Sequence, residues 1–161
     1  MKVQFNGRVT SFGELALGSI FLVDMSQTSQ YCLKVAPPPG NNRKDAGLVT
    51  LLPGIRDYDG LPGFVDGAWF RGAPVLDLSD HLYVEPVINP ASTRFSREEP
   101  TEGVGNLLIA GHVLYLKARV GRRGPVMAVN MRTGETAPLE DDSFHSAVEV
   151  SEWDIVEISG G

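Results

Sequence analysis

The nearest approach to a reactive cluster in this sequence is Asp77, Asp80, His81 and Glu85, three carboxylates and one imidazole in a short run. Such a set could ligate a metal or perform acid–base work, as in a small metal-dependent hydrolase. The same residues also make a solvated strand end, because Asp favours turns by bonding its own backbone, and that is the simpler expectation. His145 beside Asp141 and Asp142 reads in the same way. None of the histidines, His81, His112 and His145, has a second ligand-type residue at the spacing of a zinc motif. Asp57-Tyr58-Asp59-Gly60 opens like a calcium loop, but Leu61, Pro62 and Ala68 stand where that loop needs an oxygen ligand, a glycine and a glutamate. No G-x-S-x-G elbow, P-loop or G-x-G-x-x-G before a helix occurs. The expectation is a non-enzymatic protein with no catalytic residue, no metal ligand and no cofactor.

Binding chemistry is better represented. Tyr58, Phe64, Trp69, Phe70 and Arg71 are residue types enriched at interface hot spots, and they fall in a segment dense in Gly and Pro. They are the expected partner-binding residues; covering the protein's own core is the competing use of the same aromatics. Arg119, Arg122 and Arg123 cluster around a turn and could meet phosphate, which makes a nucleic-acid-binding β-barrel module the alternative function. The formal charge of −6 repels phosphate backbones at long range, so a protein partner or a homo-oligomer is expected over DNA or RNA.

These residues must be positioned by β-structure. Eighteen Gly and 11 Pro in 161 residues interrupt helices and supply turns, which favours many short strands. Val3, Phe5 and Val9 can line a first strand. Ser11 and Glu14 have capping-box spacing for one helical turn, ended by Gly18. The runs 20–23 and 31–35 read as an antiparallel pair, 75–78 and 82–87 as further strands, 112–120 and 126–131 as a hairpin around Gly121-Arg122-Arg123-Gly124, and 147–150 and 153–158 as closing strands. The predicted organisation is an N-terminal β unit, 1–88, with an inserted loop at 36–74, a polar linker or arm at 89–106, and a C-terminal β unit, 107–161. Gly18 to Val23 parallels Gly111 to Leu116, and Tyr31 to Val35 parallels Pro125 to Val129, at nearly equal offsets. This spacing suggests one unit used twice, each a small antiparallel barrel, against the alternative of one larger barrel or sandwich.

Cys32 is the only cysteine, so no intramolecular disulfide can form and a reducing, cytoplasmic setting is expected. Between Tyr31 and Leu33 it reads as a small buried hydrophobe. No run reaches the roughly 20 apolar residues of a membrane span, and Met1 to Val9 lacks a signal-peptide core; neither a membrane partner nor signal-directed secretion is expected.

Phe12-Gly13-Glu14-Leu15, followed by Gly18 and Phe21, resembles the F-G-[ED]-L-x-x-G-x-x-F opening of short, mostly uncharacterised bacterial and phage proteins with SH3-like barrels. Ala128 to Glu135, the pair Asp141-Asp142 and Val148-Glu149-Val150 are similar to the closing strands of those proteins. The resemblance implies an all-β, SH3-like fold and a role in protein–protein binding or assembly, as a phage virion accessory of decoration or connector type. It also implies location in a virion if the chain is phage-encoded.

Overall fold

Gly or Pro ends several apolar runs of this chain, as at Pro53, Gly111 and Gly121, and its strands are short. The structure is a computed structural model that describes residues 7–25, 28–40, 45–53, 61–95 and 103–158. The first half contains β1 (Arg8–Ser11), β2 (Ile20–Met25), β3 (Thr28–Val35), β4 (Gly47–Thr50), β5 (Gly63–Asp66), β6 (Pro74–Asp77) and β7 (Leu82–Pro86). The second contains β8 (Thr93–Arg94), β9 (Leu107–Ala110), β10 (Val113–Val120), β11 (Val126–Asn130), β12 (Thr136–Pro138), β13 (Val148–Val150) and β14 (Trp153–Glu157). Three single turns of 3-10 helix, η1 (Phe12–Glu14), η2 (Gly67–Trp69) and η3 (Asp142–Phe144), complete the described elements, among which there is no α-helix.

The expected all-β class is found, but the expected small barrels are not. Twelve strands form one mixed sheet in the order β1-β6-β2-β3-β4-β5-β10-β9-β13-β8, with β11 and β12 continuing from β10. Among the described residues no ladder closes this sheet on itself. The physical reason lies in the last strand of each half. Instead of closing its own unit, β7 leaves the sheet and pairs antiparallel with β14, Val84 opposite Ile155. The halves are joined again by a short parallel ladder, Gly63-Phe64 of β5 against Arg119-Val120 of β10.

The pairings repeat between the halves. In the first, β6 lies between β1 and β2, and β2-β3-β4-β5 follow as antiparallel neighbours. In the second, β13 lies between β8 and β9, and β9-β10-β11-β12 follow in the same way. The hydrogen bonds fix the correspondence residue by residue. Gly18 N–H donates to Lys34 O and Lys34 N–H to Ser19 O, at 2.8 and 3.0 Å; Gly105 N–H donates to Lys117 O and Lys117 N–H to Asn106 O, again at 2.8 and 3.0 Å. Val87 N–H donates to Glu152 O, and Ile158 N–H to His81 O. Gly18 thus corresponds to Gly105, Lys34 to Lys117, and Leu82 to Trp153. Compared with the spacing read from the sequence, the correspondence is shifted by one strand: β2 matches β9, not β10. Consecutive strands of a meander carry similar apolar runs, so a one-strand slip preserves the pattern.

One core serves both halves. Ile20, Leu33, Val49 and Phe64 pack in the same cluster as Leu107, Leu116, Met127, Val129 and Trp153. Each such side chain stabilises the fold by about 1.5–3 kcal/mol relative to exposure. Each half also has one satellite cluster of its own. Phe12, Leu15 and Phe21, the apolar residues of the F-G-E-L opening, meet Cys32 and Val75 in one; Leu108, Leu139 and Phe144 form the other. Gly18 has φ +85°, and a Cβ there would come within 2.2 Å of Arg132 O, so the turn before β2 requires glycine.

The 112–120 and 126–131 hairpin forms as β10 and β11, and the 20–23 and 31–35 pair as β2 and β3. The helical turn after Ser11 is η1, but Ser11 makes no side-chain cap; Glu14 instead accepts from Thr10 Oγ1 at 3.0 Å. The stretch 36–74 carries β4, β5 and η2, and within 89–106 β8 pairs with β13 while Val104 and Asn106 are buried. Val3 and Phe5 lie outside the described residues.

Candidate functional site

A pocket of about 710 Å³ opens where the halves meet. Ile20 from β2, Leu82 and Val84 from β7, and Met131 after β11 give it apolar walls, and the Gly18 turn lies along one side. Tyr83, His112 and Arg132 line its exposed edge. Its size falls within the range usual for ligand and side-chain pockets, and its chemistry is apolar with a few polar groups at the mouth. It offers shape and apolar contact.

The other half shows what such a place holds when filled. Trp153, at the position of Leu82, is only 4% exposed, and its Nε1 donates to Gly105 O at 2.7 Å. Gly105 is the counterpart of Gly18, which lines the open pocket. Where the second half inserts an indole between its last strand and its glycine turn, the first half has a leucine, and a cavity remains.

The expected partner-binding residues are divided by the structure. Phe64 is 6% exposed, within the shared core. Phe70 is half-buried and packs on Phe12 with ring centroids 6.3 Å apart. Trp69 is 85% exposed. Arg71 is exposed and pairs with Asp45 at 3.2 Å. Tyr58 lies outside the described residues. The turn carrying Trp69 is held firmly: Asp66 accepts from Ala68 N–H at 2.9 Å, and Phe12 and Gly13 N–H donate to Ala73 and Arg71 carbonyls. Its counterpart is η3, where Asp141 accepts from Ser143 N–H, a bond that together with the Ser143 hydroxyl holds the Asp141 carboxyl below its ordinary range. On this correspondence Trp69 matches Phe144, which is 1% exposed and packs edge-on to Tyr115.

Asp77 is engaged by Ser79 N–H and Oγ, and Arg8 lies 3.8 Å from it. Among the described residues no three His, Cys, Asp or Glu are gathered as a metal-binding group. His145 lies 3.6 Å from Asp142 on the exposed surface. Arg119 donates to Gly124 O at 3.1 Å across the β10–β11 turn, with Arg122 and Arg123 exposed at its tip. No described helix is long and apolar enough to cross a membrane.

Four buried polar residues, Lys34, Lys117, Glu149 and Asn106, went unseen in the sequence. Lys34 Nζ donates to Phe12 O and Leu15 O at 2.9 and 2.7 Å and stands over the Phe12 ring, fixing the F-G-E-L turn; desolvation lowers its pKa. Its counterpart Lys117 pairs with Glu149 at 3.0 Å, and Glu149 also accepts from Asn106 at 2.9 Å, all three buried. Lys34 and Lys117 each follow a leucine in a β-rich run, Leu33-Lys34 and Leu116-Lys117, and that repetition was the available signal.

Cys32 is fully buried, and desolvation pushes its thiol from 9.0 up to about 12. A soluble thiol reagent should therefore label the native protein only as fast as it opens, and label the denatured protein at once. Because the folded pKa is the higher one, the stability linked to this thiol is complete below pH 9.0 and is lost as pH rises towards 12. Labelling kinetics in native buffer and in denaturant check this; rapid native labelling would contradict burial.

Compared with protein-family models, curated proteins and solved structures, the chain matches none.

Proposed function

We propose that this protein is a non-catalytic protein-binding or assembly module, built from two copies of one seven-strand unit that share a core. The observation that carries the reading is Trp69: 85% exposed, on a turn rigidly capped by Asp66, while its counterpart Phe144 is buried. Leaving an indole in water forfeits its burial free energy, so a rigid turn that presents one fits a surface completed by a partner. The phage resemblance of the F-G-E-L opening directs this reading towards a virion accessory component.

Trp69→Ala should leave thermal stability within about 0.5 kcal/mol of wild type, as for other exposed positions. Binding to the partner should weaken by about 2 kcal/mol or more. Paired affinity capture with wild-type and Trp69→Ala baits, alongside thermal unfolding of both, checks the two halves of this expectation. An unfolding midpoint that collapses in the variant would reassign Trp69 to the fold.

A further inference from the structure

The two halves differ at two aromatic positions, and the differences are complementary. The second half buries an aromatic side chain at both: Phe144 on its 3-10 turn and Trp153 on its last strand. The first half exposes Trp69 at the former and has Leu82, beside an open pocket, at the latter. One half of the chain therefore carries both a tryptophan without a pocket and a pocket that is filled by tryptophan in the other half. Trp69 does not line that pocket. The two features belong to different faces of one molecule.

We propose that Trp69 of one copy inserts into the Leu82 pocket of another. The template is Trp153: an indole against the last strand, its N–H directed to the carbonyl of the glycine turn, here Gly18 in place of Gly105. Charge is complementary as well. Arg132 stands at the pocket mouth, while Asp66 lies three residues before Trp69 and the Arg71 and Asp45 charges beside it offset each other. A contact between different faces is heterologous, so it propagates head to tail into a ring or an open filament, not a closed two-fold dimer. This inference rests on the assembly reading above and names the partner as a second copy of the chain.

Sedimentation velocity over a concentration series tests it with three proteins. Wild type should gain mass with concentration beyond the dimer. Trp69→Ala lacks the inserted group and Leu82→Trp fills the pocket, so each alone should associate about thirtyfold or more weakly. Mixed together, they should form a one-to-one heterodimer that grows no further, because one supplies the exposed Trp69 indole and the other the open Leu82 pocket. Should Leu82→Trp fail to fold, free indole replaces it as the pocket blocker and should disperse wild-type assemblies. A wild type that stays monomeric, variants that associate like wild type, indole without effect on wild-type assemblies, or a mixture that stays monomeric would each overturn the proposal. Trp69-dependent capture of a different protein would leave the assembly reading standing while removing this one.

Discussion

Glu149→Ala should destabilise the protein by about 3–5 kcal/mol, because it leaves the Lys117 ammonium buried without its carboxylate. Asn106 loses an acceptor at the same time, adding to the unsatisfied polar groups. Removing both charges is a different experiment. In Lys117→Met/Glu149→Leu neither ion has to be desolvated, so stability should return to near the wild-type value or exceed it. Urea unfolding of the single and double variants measures both, with unchanged m-values required for the comparison. If Glu149→Ala cost less than about 1 kcal/mol, water would be reaching the pair.

Trp153→Ala should also cost about 3–5 kcal/mol, since the indole is nearly fully buried in the shared core. The substitution would open a cavity beside β14 and strip Gly105 O of its donor. Trp153→Phe separates the two contributions: it retains most of the apolar burial and loses the hydrogen bond, for about 1–2 kcal/mol. Thermal unfolding of the three proteins gives the order wild type, Phe, Ala. A Phe variant as unstable as Ala would show that the bond to Gly105 O dominates the site.

The all-β character was legible in residues 18–35 and 112–131, where β-rich runs are separated by unambiguous turns, and both hairpins form there. The barrel expectation failed because closure is not a local property. Leu82-Tyr83-Val84 and Trp153-Asp154-Ile155 read as strands in either case; only the tertiary structure shows that they pair with each other. The stretch 36–74 misled for a related reason. Its Gly and Pro residues mark the ends of very short strands, and Leu48-Val49 and Phe64-Val65 supply too few residues to display a period. Of the expected binding residues, exposure could be read from neither Trp69 nor Phe64, since each stands in a similar Gly-bounded run. The Leu82 pocket was invisible because its walls come from segments far apart in the chain. Lys34 and Lys117 were hidden because a lysine in a strand is ordinarily read as solvent-facing.

The ladder between β7 and β14 also determines how this chain reaches its structure. These two strands, the last of each half, find in each other the partner that their own halves do not provide. The contact closes a loop spanning almost half the chain, so its entropic cost falls due before its hydrogen bonds can form. Local meanders can assemble early and independently, whereas the final lock must await both. Such a topology places the protein among slow folders. During that wait, the unpaired edges of two similar half-sheets are open to one another across neighbouring chains, which makes exchange of halves between molecules the misfolding route to which this architecture is most exposed.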